Sequence, residues 1–243
     1  MNRSIALHIL VSAVIFVMVA GGTVQAQPAC VEDPVSERLK PALMSFEEAD
    51  RAAMPSPRGV LFVGSSTIAL WPELQAAFDE HPIVVQRGIS GSRMIDLAQH
   101  ADRLAIRYRP SRIVIYSGEN DLAEGMLAGD VLEAVRSFVR RVRSELPQAW
   151  IAWVSIKPSP SRWAINHRFD ETNALVAAWA AEQGEVEYVD LHAHMLGDDG
   201  LPRPELYAAD ALHLSAAGYA LWEAALEARL RPSVGAMAAA QIP

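Results

Sequence analysis

The sequence predicts an α/β fold, a single three-layer α/β/α sandwich built around a five-stranded parallel sheet. Two observations lead to this prediction. Short runs that are apolar throughout alternate with longer amphipathic segments, and several of the runs end in turns rich in glycine and serine. Strands that are apolar on both faces need helices on both sides of the sheet, and parallel strands need crossover connections that are usually helical.

The apolar runs define the predicted strands, and the amphipathic segments between them define the helices. The strands are 59–63, 83–86, 112–116, 150–156 and 186–190. The helices are 72–80, 93–107, 129–145, 166–183 and 215–230. We expect a leading helix at 31–53 to be interrupted by Pro41, because proline lacks the N–H group that a helix interior requires.

The N-terminal segment has the pattern of a secretory signal peptide. Arg3 precedes an apolar run at 9–20, and Val24-Gln25-Ala26 supplies small residues at the usual cleavage positions. The run is shorter than the roughly 20 residues that span a bilayer. An uncleaved anchor and a lipoprotein attached through Cys30 are the less favoured alternatives. We therefore expect a signal peptide at 1–26 and a secreted or periplasmic protein.

The remaining chain has a length that suits one domain. We expect an N-terminal extension and linker at 27–58, the α/β domain at 59–232 and a loosely held tail at 233–243. Cys30 is the only cysteine, so no intrachain disulfide can form. The formal net charge of −8 disfavours binding to nucleic acid or to an anionic membrane. We expect no stable membrane insertion after signal cleavage, and the sequence leaves the oligomeric state open.

Polar clusters follow the predicted strands, where ligands bind in open α/β sheets. They are Gly64-Ser65-Ser66 after the first strand, RGISGS at 87–92 after the second, SGEND at 117–121 after the third, and Asp210-Ala211-Leu212-His213 before the last helix. A serine becomes a nucleophile beside a base that is held by a third group. His213 is the candidate base because imidazole titrates near neutrality, and Asp210 lies close enough in sequence to fix its tautomer.

An acyl-transfer site also needs hydrogen-bond donors for the oxyanion. The candidates are the backbone N–H groups of Ser66 and Gly91 and the side-chain amide of Asn120. Each residue also has a simpler interpretation: Ser66 as a helix N-cap, Gly91 as a turn glycine with positive φ, Asn120 as a loop residue that caps a helix. His213 by itself could be a surface histidine at the start of the last helix.

The four clusters, in this order, resemble the SGNH hydrolases, the superfamily of GDSL-type esterases and lipases. The resemblance runs from Val60 to about Trp222 and implies a flavodoxin-like hydrolase fold. It assigns the nucleophile to Ser66, the oxyanion donors to Gly91 and Asn120, and the remaining triad positions to Asp210 and His213. The superfamily usually has Gly-Asp-Ser at 64–66; this chain resembles a branch in which Gly-Ser-Ser is normal, which leaves Ser65 as an adjacent serine to be tested.

The leading functional hypothesis is a serine esterase that hydrolyses carboxylic esters through an acyl-enzyme on Ser66, without a cofactor. Export and a small domain favour a short acyl group, such as acetyl on a carbohydrate. Lysophospholipase, thioesterase or acyl-transfer activity on the same site, and a noncatalytic ligand-binding domain, are the alternatives. An α/β-hydrolase esterase would require a G-x-S-x-G elbow, and no such elbow surrounds Ser66, Ser90 or Ser117.

Two further groups of residues lie near the ends of predicted strands. Asp190, His192 and His194 would share one face of an extended segment, but no fourth ligand accompanies them, and we predict no metal. Arg93, Arg162 and Trp163 stand in the loops that follow the second and fourth strands. These three side chains are candidates to shape the substrate pocket, and the equally favoured alternative is that they belong to rigid loops without such a role.

Overall fold

The computed structural model describes residues 34–230 of the 243-residue chain. These residues belong to one unit that begins at Asp33. The predicted signal peptide at 1–26, Cys30 and the predicted tail at 233–243 lie outside the described residues and stay predictions. Within the part that is described, no helix is long and apolar enough to cross a membrane.

The centre of the molecule is a five-stranded sheet in which every neighbouring pair is parallel. The strands are β1 (Val60–Gly64), β2 (Val84–Gly88), β3 (Arg112–Tyr116), β4 (Trp150–Val154) and β5 (Glu187–Val189). Their spatial order is β2-β1-β3-β4-β5, and the predicted α/β fold is confirmed. In this order the chain reverses its direction of winding between β1 and β3, which is where ligands bind in doubly wound sheets.

Nine α-helices cover the sheet within residues 34–230. They are α1 (Pro34–Ala52), α2 (Ser66–Ala69), α3 (Leu74–Ala77), α4 (Met94–Gln99), α5 (Ala101–Leu104), α6 (Glu119–Ala123), α7 (Ala128–Glu145), α8 (Asn166–Gln183) and α9 (Ala216–Leu230). The bounds of α8 are those predicted. The predicted helix 72–80 is only the single turn α3, and the predicted strand 150–156 ends at Val154.

The region predicted as one helix at 93–107 is broken into α4, α5 and a 3₁₀ turn at Ile106–Tyr108. The backbone leaves helical geometry at His100, with φ −110° and ψ 21°, and again at Ala105, with φ −131° and ψ −58°. These two breaks redirect the chain while Leu97, Ala101 and Leu104 all stay in the core. Apolar spacing alone therefore overestimated the length of this helix.

Each face of the sheet has its own apolar core. One core joins the strands to α1, α4, α5, α7 and α8, and the other joins them to α2, α3 and α9. Alternate residues of β1 point to opposite sides: Leu61 belongs to the first core and Phe62 to the second. In the second core the ring of Trp222 packs edge-on against Tyr116, with centroids 4.8 Å apart. The three layers follow from this two-sided burial.

The predicted interruption of the first helix at Pro41 is wrong, because α1 continues through that residue. Pro41 is exposed, while Leu39 and Leu43 are buried in the core of the sheet. Burial of the apolar face offsets the cost of a proline in a helix, which is about 3 kcal/mol. Part of the segment 27–58, predicted as an extension and linker, is thus a helix that packs on the same core.

Candidate active site

The two serines after β1 have different surroundings. Ser65 is the N-cap residue of α2 and its side chain is buried, whereas Ser66 is the first residue of the helix and is partly exposed. The turn needs glycine at position 64, because a Cβ there would lie 2.1 Å from the carbonyl oxygen of Tyr116. The close approach of β1 to β3 therefore fixes where the first turn of α2 begins.

The structure brings Ser66 together with His213 and Asp210, although His213 lies 147 residues further along the chain. The distance from His213 Nε2 to Ser66 Oγ is 3.0 Å, and that from His213 Nδ1 to Asp210 Oδ2 is 2.6 Å. Ala211 adopts a φ of 56°, which turns the backbone back on itself between the acid and the histidine. A hydroxyl, an imidazole and a carboxylate are therefore joined in one chain of hydrogen bonds.

The carboxylate of Asp210 is stabilised in its ionised form. Hydrogen bonds from the His213 ring and from the backbone N–H groups of Leu212 and His213 hold the pKa of Asp210 well below its usual range. An ionised carboxylate accepts a hydrogen bond from Nδ1–H, so the proton of the neutral ring resides on Nδ1. Nε2 then presents its lone pair to Ser66 Oγ, which is the arrangement a general base requires.

The three candidate oxyanion donors lie at the same edge of the sheet. The N–H of Ser66 is at the first position of α2 and has no partner within the helix. Gly91 has a φ of 77°, a conformation that favours glycine. Asn120 Nδ2 donates a hydrogen bond to the carbonyl oxygen of Ser92 at 2.9 Å, which ties Asn120 to the Gly91 turn. The amide nitrogen of Asn120 retains a second hydrogen.

The turn that contains Gly91 is held in place by the buried carboxylate of Asp121. Both oxygens of Asp121 lie 2.9 Å from the backbone nitrogen of Met94. Burial raises the pKa of Asp121 to about 6, although hydrogen bonds from the backbone oppose this shift. Helix α6 is thereby connected to the start of α4.

Arg93, predicted to shape the substrate pocket, is paired with carboxylates of the protein. Its Nη2 lies 3.1 Å from Asp96 Oδ1 and its Nη1 lies 3.4 Å from Glu124 Oε2. The hydrogen bond to Asp96 and its negative charge raise the pKa of Arg93. The guanidinium therefore helps to hold the start of α4 beside the Gly91 turn.

Arg162 and Trp163, the other predicted pocket residues, lie in a 3₁₀ segment at Pro160–Ile165. Arg162 Nη2 donates to Asn120 Oδ1 at 3.0 Å, and Nη1 lies 3.6 Å from Glu119 Oε1. Trp163 is 36% exposed. Arg162 is therefore bound to a candidate oxyanion donor, while Trp163 presents an exposed aromatic surface.

Sequence reasoning missed a buried polar cluster behind Asn120. Glu119 is its centre: Oε2 accepts hydrogen bonds from Lys157 Nζ at 2.5 Å and from Tyr116 at 2.9 Å, and Oε1 accepts one from Ser159 at 2.5 Å. Lysine is almost never fully buried without a partner, and Lys157 is 1% exposed. A lysine directly after an apolar strand was the signal that could have pointed to an acidic partner.

The residues considered for a metal site have other contacts. His192 Nδ1 lies 2.8 Å from the carbonyl oxygen of Ile156, and His192 Nε2 lies 3.1 Å from Asp170 Oδ1. Asp190 Oδ1 accepts a hydrogen bond from the backbone of Ala193, and His194 is exposed. Between residues 34 and 230, no group of three or more His, Cys, Asp or Glu side chains is arranged to hold a metal ion.

A parallel α/β sheet of this order, with a serine, histidine and aspartate joined at its topological switch point, defines a hydrolase-like class of protein. The model of the GDSL-like lipase/acylhydrolase family matches residues 62–221. The chain belongs to this family, whose members are typically ester hydrolases, and an ester substrate is implied. No curated protein matches the chain.

Solved structures show the same fold at low sequence identity. A candidate platelet activating factor from Streptococcus pneumoniae is 23% identical, with a TM-score of 0.72 over 81% of this chain and 94% of that one. A GDSL-like lipase from Bacteroides thetaiotaomicron is 20% identical, with a TM-score of 0.66 over 77% and 97%. A catalytic mutant of an acetylxylan esterase from Geobacillus stearothermophilus is 20% identical, with a TM-score of 0.60 over 74% and 96%.

Proposed function

We propose that this protein is a serine esterase that hydrolyses carboxylic esters through an acyl-enzyme on Ser66. The observation that carries the proposal is the connected geometry of Ser66, His213 and Asp210, with a 3.0 Å contact between His213 Nε2 and Ser66 Oγ. A helix N-cap serine would need no such histidine. Membership of the GDSL-like family supports the same class of reaction.

In the first half of the reaction, Ser66 Oγ attacks the ester carbonyl carbon and its proton passes to His213 Nε2. Asp210 stabilises the imidazolium that results. The carbonyl oxygen becomes an oxyanion, which accepts hydrogen bonds from the N–H groups of Ser66 and Gly91 and from Asn120 Nδ2. The bond to the alcohol oxygen then breaks, and His213 returns the proton to the departing alcohol.

The second half repeats these steps with water. His213 takes a proton from a water molecule as its oxygen attacks the acyl carbon on Ser66. The same donors stabilise the second oxyanion, and His213 returns the proton to Ser66 Oγ as the acid leaves. Replacing water with another alcohol would give acyl transfer, because both reactions share one acyl-enzyme.

We further infer a short acyl group, acetyl on a carbohydrate being the favoured case. One structural neighbour is an acetylxylan esterase. The signal-peptide pattern at 1–26 supports a substrate outside the cytoplasm, such as a cell-wall or plant polysaccharide.

The test compares the purified wild type with Ser66→Ala and the matched control Ser65→Ala. Ser66→Ala should lower kcat on an aryl acetate by about 10⁴-fold or more, since it removes the nucleophile. Ser65→Ala should retain activity within about fivefold, because the substitution removes only a buried hydroxyl that makes no capping hydrogen bond to α2. A fluorophosphonate should label the wild type and Ser65→Ala, and leave Ser66→Ala unmodified.

Several outcomes would contradict the proposal. Equal hydrolysis by Ser66→Ala would exclude this nucleophile, and the absence of labelling in the wild type would favour a noncatalytic ligand-binding domain. Rates that rise with acyl length along a series of aryl esters would overturn the short-acyl inference. Preference for a lysophospholipid or a thioester over acetylated xylan would replace the proposed substrate with one of those classes.

A further inference from the structure

The side-chain amide of Asn120 has a partner on each of its two polar atoms. Nδ2 donates to the carbonyl oxygen of Ser92 at 2.9 Å, and Oδ1 accepts from Arg162 Nη2 at 3.0 Å. Rotating the amide by 180° would place Oδ1 against the carbonyl of Ser92 and the NH₂ group against the guanidinium. Both new contacts would be repulsive, so these two partners select one orientation.

That orientation matters for the proposed reaction, because only Nδ2 can donate to an oxyanion. The carbonyl oxygen of Ser92 accepts one of the two Nδ2 hydrogens. The other hydrogen of the same NH₂ group can donate to the oxyanion. A guanidinium bound to Oδ1 also draws electron density from the amide, which makes its N–H groups stronger donors. Arg162 therefore acts on the amide in two ways, by orientation and by polarisation.

Arg162 is itself held by the buried cluster around Glu119. Burial alone would raise the pKa of Glu119, but Lys157 and Arg162 outweigh this, and the pKa lies below its ordinary value. The carboxylate is therefore stabilised in its ionised form by two neighbouring basic side chains. The guanidinium of Arg162 connects this carboxylate to Asn120 Oδ1.

The same segment reaches the loop that carries the histidine. The backbone nitrogen of Ser161 donates to the carbonyl oxygen of Ala211 at 3.0 Å. Ala211 lies between Asp210 and His213 in sequence, at the turn with positive φ. A single short segment therefore contacts both Asn120 and the loop of the candidate acid and base.

We propose that Arg162 is a positioning residue for the oxyanion hole, holding and polarising the Asn120 amide, and that the buried Glu119–Lys157 pair anchors it. This inference rests on the proposed esterase function. It gives Arg162 a role other than the substrate contact expected from the sequence. It also explains why a buried ion pair stands directly behind Asn120.

The test is a double-mutant cycle of Arg162→Ala and Asn120→Ala, with kcat and KM measured on an aryl acetate. Asn120→Ala should lower kcat by about 10²–10³-fold, the usual effect of losing one oxyanion donor. Arg162→Ala should lower kcat by about tenfold with KM changed less than about twofold, and should have less than about a twofold effect when Asn120 is already alanine. Arg162→Lys, which keeps the charge, should recover part of the rate. Arg140→Ala removes an exposed arginine that pairs with Glu133 and is the matched control, with no effect in either background.

The cycle can overturn the inference in two ways. Equal losses of kcat in both backgrounds would mean that Arg162 acts independently of Asn120. A rise in KM with unchanged kcat would make Arg162 a substrate contact instead.

A measurement that does not depend on activity separates this inference from the proposed function. In ¹H–¹⁵N spectra, the side-chain amide pair of Asn120 is identified by its loss in Asn120→Ala. Arg162→Ala should shift and broaden that pair, and Arg140→Ala should leave it unchanged. Unchanged Asn120 signals in Arg162→Ala would contradict the inference, even if the protein hydrolysed no ester.

Discussion

The two sides of the candidate site are built in different ways. On the acid–base side, the side chain of Asp210 is 50% exposed and that of His213 is 26% exposed, and local hydrogen bonds within one turn hold them. On the oxyanion side, the side chains of Glu119 and Lys157 are 5% and 1% exposed. There, residues 38 positions apart form a buried ion pair.

Because of this difference, the two sides should contribute unequally to the free energy of unfolding. An exposed carboxylate needs little compensation for its charge, so the acid–base side contributes little to the free energy of unfolding. A buried ion pair has lost its hydration and is tolerated only while every partner is present. Substitutions on the first side should therefore change rates alone, while substitutions on the second should change both rate and stability.

The largest effect expected from this comparison is that of His213→Ala on catalysis. The variant should lower kcat for an aryl acetate by about 10⁴-fold, because no base remains to take the proton of Ser66. Its free energy of unfolding in urea should change by less than about 1 kcal/mol, since the ring is partly exposed. A destabilised variant, or one with near-normal kcat, would contradict the distinction between the two sides.

On the oxyanion side, Lys157→Met should mainly destabilise the protein. It leaves Glu119 as a buried charge without its main cation, and breaking such a pair costs about 3–5 kcal/mol. The double variant Lys157→Met with Glu119→Gln removes the stranded charge and should recover roughly half of that loss. Urea unfolding monitored by circular dichroism measures both; equal stabilities of the single variant and the wild type would contradict a structural role for the pair.

Much of the acid–base side could be predicted from the sequence. Short apolar runs marked where strands end, and parallel strands bring those ends to one edge of a sheet. Glycine, serine, aspartate and histidine at these ends were therefore read as neighbours, and the structure brings Ser66, Asp210 and His213 together. The catalytic roles proposed for Ser66 and His213 are tested by the variants described above.

The oxyanion side was less predictable because its contacts depend on packing. The bond between Lys157 and Glu119 exists only because β3 and β4 are neighbours and both loops turn inward, which no local pattern specifies. For the same reason, the contact of Arg162 with Asn120 could not be predicted, although Arg162 was expected to shape the substrate pocket. The short helix α6 was also missed, since five residues show too little periodicity.

A smaller effect on the oxyanion side should appear in the pH dependence of stability. The pKa of Asp121, raised by burial to about 6, lies above that of an unfolded aspartate. The folded state then binds the proton more tightly, so the free energy of unfolding falls as pH rises from about 4 to 6, by at most about 3 kcal/mol. The side chain at position 121 cannot titrate in Asp121→Asn. The difference in free energy of unfolding between the wild type and this variant should therefore shrink or reverse as pH rises, which urea unfolding at pH 4, 5, 6 and 7 measures. A constant difference between the free energies of unfolding of the wild type and Asp121→Asn at all four pH values would contradict the raised pKa of Asp121.

The smallest effect concerns α1, which contacts Asp96 and Glu124 near its start and Arg87 near its end. Arg38 lies 3.5 Å from Asp96 and 3.3 Å from Glu124, with 42% of its side chain exposed. Arg38→Ala should lower the free energy of unfolding by less than about 1 kcal/mol and kcat by less than about twofold, because Arg38 itself is partly exposed and the buried Asp96 keeps its closer ion pair with Arg93. The matched comparison is Arg87→Ala, which removes the nearer of two arginine partners of the 1% exposed Asp50, at 2.6 Å, and leaves Arg107 at 3.6 Å. That variant should lose about 3 kcal/mol or more, since a charge is left buried. If the two arginines had equal effects, burial would not be what separates stabilising charges from dispensable ones in this protein.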